Sequence, residues 1–260
     1  MNILFIGDVI GSPGRKALSS ALPGLKDRFN IDITILNGEN AAGGFGLTPE
    51  IANVLFLMGI DVITSGNHIW DKKDIIEIFE KEKNLLRPAN YPEGVPGNGS
   101  GIYCVGEQKI GVINIAGRAF MANLDCPFKT VDKELEKMKN ITGCIIVDIH
   151  AEATSEKMAI GWYLDSRVSA VIGTHTHVQT ADERILPGGT AYITDAGMTG
   201  SRDSVIGMKK EHAIEKFLTQ IPVKFETAKK NLWVCGLFVS INNSTGKAES
   251  IERVNVKVDD

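Results

Sequence analysis

Five short polar clusters interrupt otherwise apolar runs in this chain: Gly7-Asp8, Gly38-Glu39-Asn40, Gly66-Asn67-His68, Ile149-His150 and Gly173-Thr174-His175-Thr176-His177. Each follows a stretch that reads as a buried strand, so carboxylates, amides and imidazoles are expected together at strand ends. Left unpaired, such groups are costly to bury, whereas as a set they suit hard or borderline divalent metals. If the clusters converge, Asp8, Glu39, Asn40, Asn67, His150, His175 and His177 supply two carboxylates, two amides and three imidazoles. A glutamate at position 39 shared between two ions would hold them a few ångströms apart. Two divalent ions bring four positive charges; Asp8, Glu39 and a bridging hydroxide remove three, and the remainder attracts a phosphate anion.

Each cluster alone has a plainer reading. His175 and His177 flank Thr176, so on extended backbone both would turn to one side, but they could equally be solvated loop residues. His150 alone reads more simply as a hydrogen-bonded residue, and Asp8 as a turn former. Their joint occurrence is what points to a metal site. His68, beside Asn67, is suited to protonate a departing alkoxide, because its unperturbed pKa lies near physiological pH; hydrogen-bonding support is the alternative role. The glycines at 7, 11 and 14 have the wrong spacing for a dinucleotide fingerprint. Gly43-Gly44-Phe45-Gly46 reads as a permissive loop near the site or as a simple turn. Ser65 lies near His68, yet no G-x-S-x-G elbow is present. The acidic stretch 132–136 reads as a solvated helix face.

The elements that must position these residues begin with a strand at 3–6. A helix then opens at Gly11-Ser12-Pro13-Gly14, with Ser12 as N-cap and Pro13 in the first turn, and runs to 28. A strand at 31–36, a helix at 49–58, a strand at 61–64 and a helix at 71–81 complete a β-α-β-α-β-α opening. Residues 88–100 are rich in Pro, Gly and Asn and read as a loop, before a hairpin of 101–105 and 109–115 across Gly106-Glu107-Gln108. The irregular stretch 116–128, with Arg118, Phe120 and Met121, is a candidate lid, and an ordinary connector is the simpler reading. A helix at 131–139, a strand at 144–149, a helix at 154–164 and strands at 168–172 and 190–194 follow, the last delivering Asp195 and Gly197. An antiparallel pair, 231–241 with 251–258, closes the chain. The expected fold is α/β: a layered sandwich of sheets flanked by outer helices, in one domain over 1–260.

Composition narrows the functional classes. The formal charge of −4 and pI near 5.8 argue against a protein whose main task is gripping long nucleic acid. Cys104, Cys126, Cys144 and Cys235 are scattered and read as buried thiols, not as a thiolate metal site or a disulfide framework. The N-terminus lacks the basic flank of a signal peptide, and no apolar run approaches a membrane span, so a cytoplasmic protein is expected. Order is expected throughout, the terminal Val258-Asp259-Asp260 excepted.

The ordered set Gly7-Asp8, Gly38-Glu39-Asn40, Gly66-Asn67-His68, His150 and Gly173-Thr174-His175-Thr176-His177 resembles the calcineurin-like metallophosphoesterases. More closely it resembles their YmdB-like family, described as 2′,3′-cyclic-nucleotide 2′-phosphodiesterases. The likeness includes the opening from Asn2 to Gly11 and the stretch Gly161-Trp162-Tyr163-Leu164-Asp165. The wider superfamily's Asp-x-His and Gly-Asp motifs are replaced here by Asp8-Val9-Ile10 and Gly38-Glu39-Asn40, a pattern that resembles the narrower family's own. The resemblance implies a calcineurin-like β-sandwich flanked by helices. It implies that Asp8, Glu39, Asn40 and His177 surround one ion, that Glu39, Asn67, His150 and His175 surround the other, and that His68 is the proton donor. It further implies iron or manganese, with zinc permitted by the nitrogen and oxygen ligands. The implied reaction is attack of a metal-bridging hydroxide on a small phosphodiester, a 2′,3′-cyclic nucleotide ahead of 3′,5′-cAMP. A homo-oligomer is also implied. The rival readings are a phosphomonoesterase or protein phosphatase with the same centre, and a regulatory protein with a structural metal site.

Overall fold

The computed structural model describes residues 1–258, so Asp259 and Asp260 of the expected disordered end lie outside the described residues, whereas Val258 is buried. In chain order the elements begin with β1 (Asn2–Ile6), β2 (Asp8–Val9), α1 (Gly11–Phe29), β3 (Ile33–Asn37), α2 (Pro49–Leu57), β4 (Val62–Thr64) and α3 (Ile76–Phe79). The middle comprises β5 (Ser100–Val105), β6 (Gln108–Ala116), α4 (Pro127–Met138), β7 (Ile145–His150), α5 (Thr154–Leu164) and β8 (Ala170–Thr174). The chain closes with β9 (Arg184–Ile185), β10 (Ala191–Ile193), β11 (Met198–Ser201), α6 (Lys210–Thr219), β12 (Leu232–Ile241) and β13 (Ala248–Lys257).

Among the described residues the strands form two sheets. One has the order β2-β11-β12-β1-β3-β4, with β13 paired along β12; the other runs β5-β6-β7-β8-β10-β9. Alternation along the strands explains the layers. Ile3, Phe5, Ile33, Ile35 and Val62 face Ile110, Val112, Ile146 and Ile172 across the sandwich interior. Leu4, Ile6, Leu36 and Ile63 point the other way, onto Leu18, Leu22 and Leu25 of α1 and Leu55 of α2. On the far side Val147, Ile149 and Val171 pack on Val131 and Leu135 of α4 and Ile160 and Leu164 of α5. Strands covered on both faces read as continuous apolar runs, as these do.

Several expectations need correction. Ser12 does not cap α1: the helix begins at Gly11, whose φ of 56° is open to glycine, and Ile10 stands at the N-cap without a side-chain bond. Backbone N–H groups there are met by carbonyls instead, Gly11 donating to Asn40 and Ile10 to Thr199. The helix expected at 71–81 is a 3₁₀ turn over Lys73–Ile75 followed by the single turn of α3. The acidic stretch of α4 is not wholly solvated, since Glu134 is buried and accepts from Ser100 and Lys137. Of the cysteines, Cys144 and Cys235 are buried but Cys104 is exposed. Strands β2, β9 and β11 and helix α6 had no counterpart in the sequence reading. No helix among the described residues is long and apolar enough to cross a membrane.

Candidate metal centre

The two sheets each deliver part of one polar cluster. From the first come Asp8 on β2, Glu39 and Asn40 just beyond β3, and Asn67 and His68 just beyond β4; from the second come His150 at the end of β7 and His175 and His177 beyond β8. The carboxyl ends of parallel strands leave loops and helix starts free to converge, which is why the ligating types gather there.

Around His150 the packing is tight. Its Nε2 lies 3.0 Å from Glu39 Oε1, 3.0 Å from Asn67 Oδ1 and 3.0 Å from His175 Nδ1. Glu39, His150 and His175 thus form one group able to hold a metal ion. On the other side of Glu39, Asn40 Nδ2 stands 3.1 Å from Glu39 Oε1 and 3.3 Å from His177 Nε2, while His177 Nε2 is 3.8 Å from Asp8 Oδ1. All seven residues singled out from the sequence lie in this double cluster, joined through Glu39. Gly66 is required by the crowding: a Cβ there would sit 2.2 Å from His150 Cδ2 and 2.3 Å from Glu39 Oε2.

The outer nitrogens of the three histidines are all engaged. His150 Nδ1 meets Thr174 Oγ1 at 3.0 Å, His175 Nε2 meets Glu152 Oε2 at 3.1 Å, and His177 Nδ1 donates to the Ile206 carbonyl at 3.0 Å. Such partners fix the tautomer of a ligating imidazole and leave the opposite nitrogen for a metal. Thr174 hands the interaction on to Asp148 Oδ1 at 2.7 Å, and Thr64 and Asn37 bind the other oxygen of that buried carboxylate.

The residues fit a cation on two counts. Asp8 Oδ1 is buried with no hydrogen-bond partner. At His150 Nε2 three ligand atoms meet where one proton could satisfy one of them; a cation satisfies all of them. Asn40 would present its Oδ1 to an ion after a half-turn of its amide, an orientation that hydrogen bonding alone assigns here. Titration without metal tells the same story. Burial would raise the Glu39 carboxyl, but the charge of His150 and its hydrogen bond hold it down to about 2. Burial would lower His150, but Glu39 above all raises it to about 9. Burial and the charge of His150 push His175 down to about 3. Burial raises Asp8 against the opposing pull of His177 and His150, and raises Asp148 to about 6. The cluster thus needs positive charge, and without metal a proton on His150 supplies it.

His68 lines the same cavity, with its backbone N–H on Glu39 Oε2 at 3.1 Å. Its Nδ1 faces Asp71 Oδ2 at 2.9 Å, leaving Nε2 as the ring nitrogen open to a ligand, and the edge of Phe45 packs against the ring at 5.2 Å. Ser65 is buried and donates to the Leu86 carbonyl, so it is no nucleophile. Gly44 and Phe45 of the glycine-rich loop line the cavity, whereas Arg118, Phe120 and Met121 are absent from its lining. Arg118 and Ala119 instead donate backbone N–H groups to Glu156, which ties the 116–128 stretch down as a connector.

The loop carrying His175 and His177 corrects one expectation. Neither residue is extended: φ is 96° at His175 and 65° at His177, a region costly for side chains other than glycine. A buried ion pair holds that shape. Lys157 Nζ of α5 lies 2.8 Å from Asp195 Oδ2, the same oxygen accepts from Thr176 N at 3.0 Å and Thr176 Oγ1 at 2.6 Å, and Lys157 also reaches Thr176 Oγ1 at 3.2 Å. Lys157, Asp148, Asp71 and the supporting roles of Thr174 and Asp195 went unremarked in the sequence. One signal existed: Asp148 interrupts an apolar strand two residues before His150, on the same face. Ile206 is a further site residue. It and Gly207 occupy a tight turn between Val205 and Met208 with φ of 47° and 95°, where a β-branched residue costs about 1–2 kcal/mol.

Known proteins resemble the chain over its whole length. The family model described as YmdB-like protein matches residues 4–254. Over 259 residues the chain is 50% identical to a 2′,3′-cyclic-nucleotide 2′-phosphodiesterase of Bacillus subtilis (strain 168), covering 100% of this chain and 98% of that protein. A novel phosphatase from Mycoplasma pneumoniae, known from a crystal structure, superposes with a TM-score of 0.94 at 34% identity, covering 100% of this chain and 94% of that one. A likeness of fold alone extends to the NAD nucleotidase of Haemophilus influenzae, with a TM-score of 0.63 at 16% identity over 98% of this chain and 55% of that one. This chain therefore belongs to the YmdB-like protein family.

Proposed function

We propose that this protein is a dinuclear metal-dependent phosphodiesterase that opens 2′,3′-cyclic nucleotides at the ribose 2′ oxygen. Kinship carries the coarser part, a metal-dependent phosphodiesterase. The 2′,3′-cyclic substrate follows the activity of the Bacillus subtilis relative, and the observation that supports two ions is the convergence of Glu39, Asn67 and His175 on His150 Nε2, with Asp8, Asn40 and His177 on the other side of Glu39. Asp8, Glu39, Asn40 and His177 would hold one ion, and Glu39, Asn67, His150 and His175 the second. Bound there, the pair would supply Lewis acidity toward phosphoryl oxygens and a hydroxide nucleophile at neutral pH. Iron or manganese is what the family resemblance implies, and the oxygen and imidazole donors permit either, as they permit zinc.

The remaining work falls to the chain. His68 delivers a proton from Nε2 to the departing 2′ oxygen, and Asp71 holds the ring so that this nitrogen, not Nδ1, faces the substrate. The backbone link from His68 to Glu39 keeps the donor in register with the ligands. Phe45 shields one side of the ring. The test is elemental analysis of protein purified without added metal, with 2′,3′-cAMP, 3′,5′-cAMP and adenosine 3′-monophosphate assayed at matched metal content. The expected pattern is hydrolysis of the 2′,3′-cyclic diester, with the 3′-monophosphate left intact. Faster hydrolysis of the monophosphate would make the protein a phosphomonoesterase, and full metal occupancy without diester hydrolysis would make the site structural.

A further inference from the structure

The cavity of about 420 Å³ that reaches the ligand cluster extends well past it. Beyond Glu39, Asn40, His175 and His177 its wall is mostly apolar, made by Phe45, Ile206, Met208, Phe217 and Phe225, with Glu152 and Lys216 as its charged members. A space of this size suits a small organic molecule, and a phosphate group would use only its polar end. Two wall residues are conspicuously unpartnered: Phe217 is 76% exposed and Ile206 51% exposed. Ile206 also occupies a left-handed turn position, where asparagine or glycine would sit without strain. Strain of this kind persists at ligand clamps. The Ile206 carbonyl orients His177 while its side chain lines the wall, so one turn serves both the metal end and the apolar end of the cavity.

We infer that this apolar wall seats the nucleobase of the substrate, with Phe217 and Phe225 offering aromatic surface to the flat ring and Ile206 and Met208 supplying aliphatic contact. The inference rests on the phosphodiesterase reading above and adds the group that the site recognises besides the phosphodiester. Recognition through ring faces is tolerant of base identity, so larger purines bind more tightly than pyrimidines, with little choice between adenine and guanine.

The test is calorimetric titration of the metal-loaded full chain with adenosine 3′-monophosphate and with the corresponding ribose phosphate lacking a base. The native protein should prefer the nucleotide by about tenfold to a hundredfold, the range expected of base stacking. Phe217→Ala, at a largely exposed position, should remove most of that preference without changing affinity for the base-free ligand. Ile206→Asn should raise the thermal midpoint by relaxing the turn, and should also lower the preference. Equal affinities for the two ligands in the native protein, or a preference undiminished in both variants, would overturn the inference. A parallel assay with 2′,3′-cAMP separates the two readings. Hydrolysis without a base preference removes the nucleobase seat alone, whereas a preference without hydrolysis removes the phosphodiesterase reading and leaves the seat.

Discussion

His68 and the residues around it carry the sharpest expectations at the level of single side chains. Replacing His68 by alanine should leave metal content unchanged and lower turnover of 2′,3′-cAMP by about 10²–10⁴-fold, the usual worth of a positioned general acid. The loss should shrink on a p-nitrophenyl diester, whose leaving group needs no proton; equal losses on both substrates would contradict the role. Asp71→Asn should give a smaller loss of the same kind, because it removes the carboxylate that orients the ring. That these seven side chains would gather was readable in the sequence because each stands in a polar cluster after an apolar run. Their supports were not. Lys157 and Asp195 lie 38 residues apart, and nothing in the helix around Lys157 distinguishes it from a solvated lysine.

Loop shape is the matter at the level of elements. The strained turn that carries His175 and His177 is pinned by Asp195, which Lys157 neutralises from α5. Lys157→Met leaves a buried carboxylate without its cation and should cost about 3–5 kcal/mol of stability. It should also weaken metal affinity, because Thr176 loses a partner between the two histidines. Thermal melting together with metal titration checks both; a lower melting point with unchanged metal affinity would mean that the pair serves stability alone. The same scale shows why some elements were readable and others not. Helix α5 coincides with its expected span, Thr154–Leu164, and buries Ile160 and Leu164 one turn apart. Helix α6 buries only Ala213 and exposes Ile214, Phe217 and Leu218, so it lacks the apolar stripe that marks a core helix. Strands β2 and β9, two residues each, are too short to show a period.

Across the whole molecule, the proposed metal centre lies where two sheets meet, and neither sheet alone supplies its full set of candidate ligands. Ions bound there would tie the first sheet's Asp8, Glu39 and Asn67 to the second sheet's His150, His175 and His177. Stripping them with a chelator should lower the thermal midpoint and restoring them should raise it, since a ligand at a hundred times its dissociation constant adds about 2.7 kcal/mol. An unchanged midpoint would mean that the sheets do not depend on the ions. The layered arrangement was foreseeable from continuous apolar strands that alternate with helices, whereas the order of strands within each sheet depends on pairings between distant segments, such as β1 with β12.

The central claim is that a pair of ions, held by these seven side chains, hydrolyses a phosphodiester. Elemental analysis of the purified protein, made on the same sample that is assayed with 2′,3′-cAMP, tests it most directly. Two equivalents of iron or manganese per chain are expected, with activity lost to a chelator and regained on reloading. A single equivalent, or two equivalents with no diester hydrolysis, would contradict it.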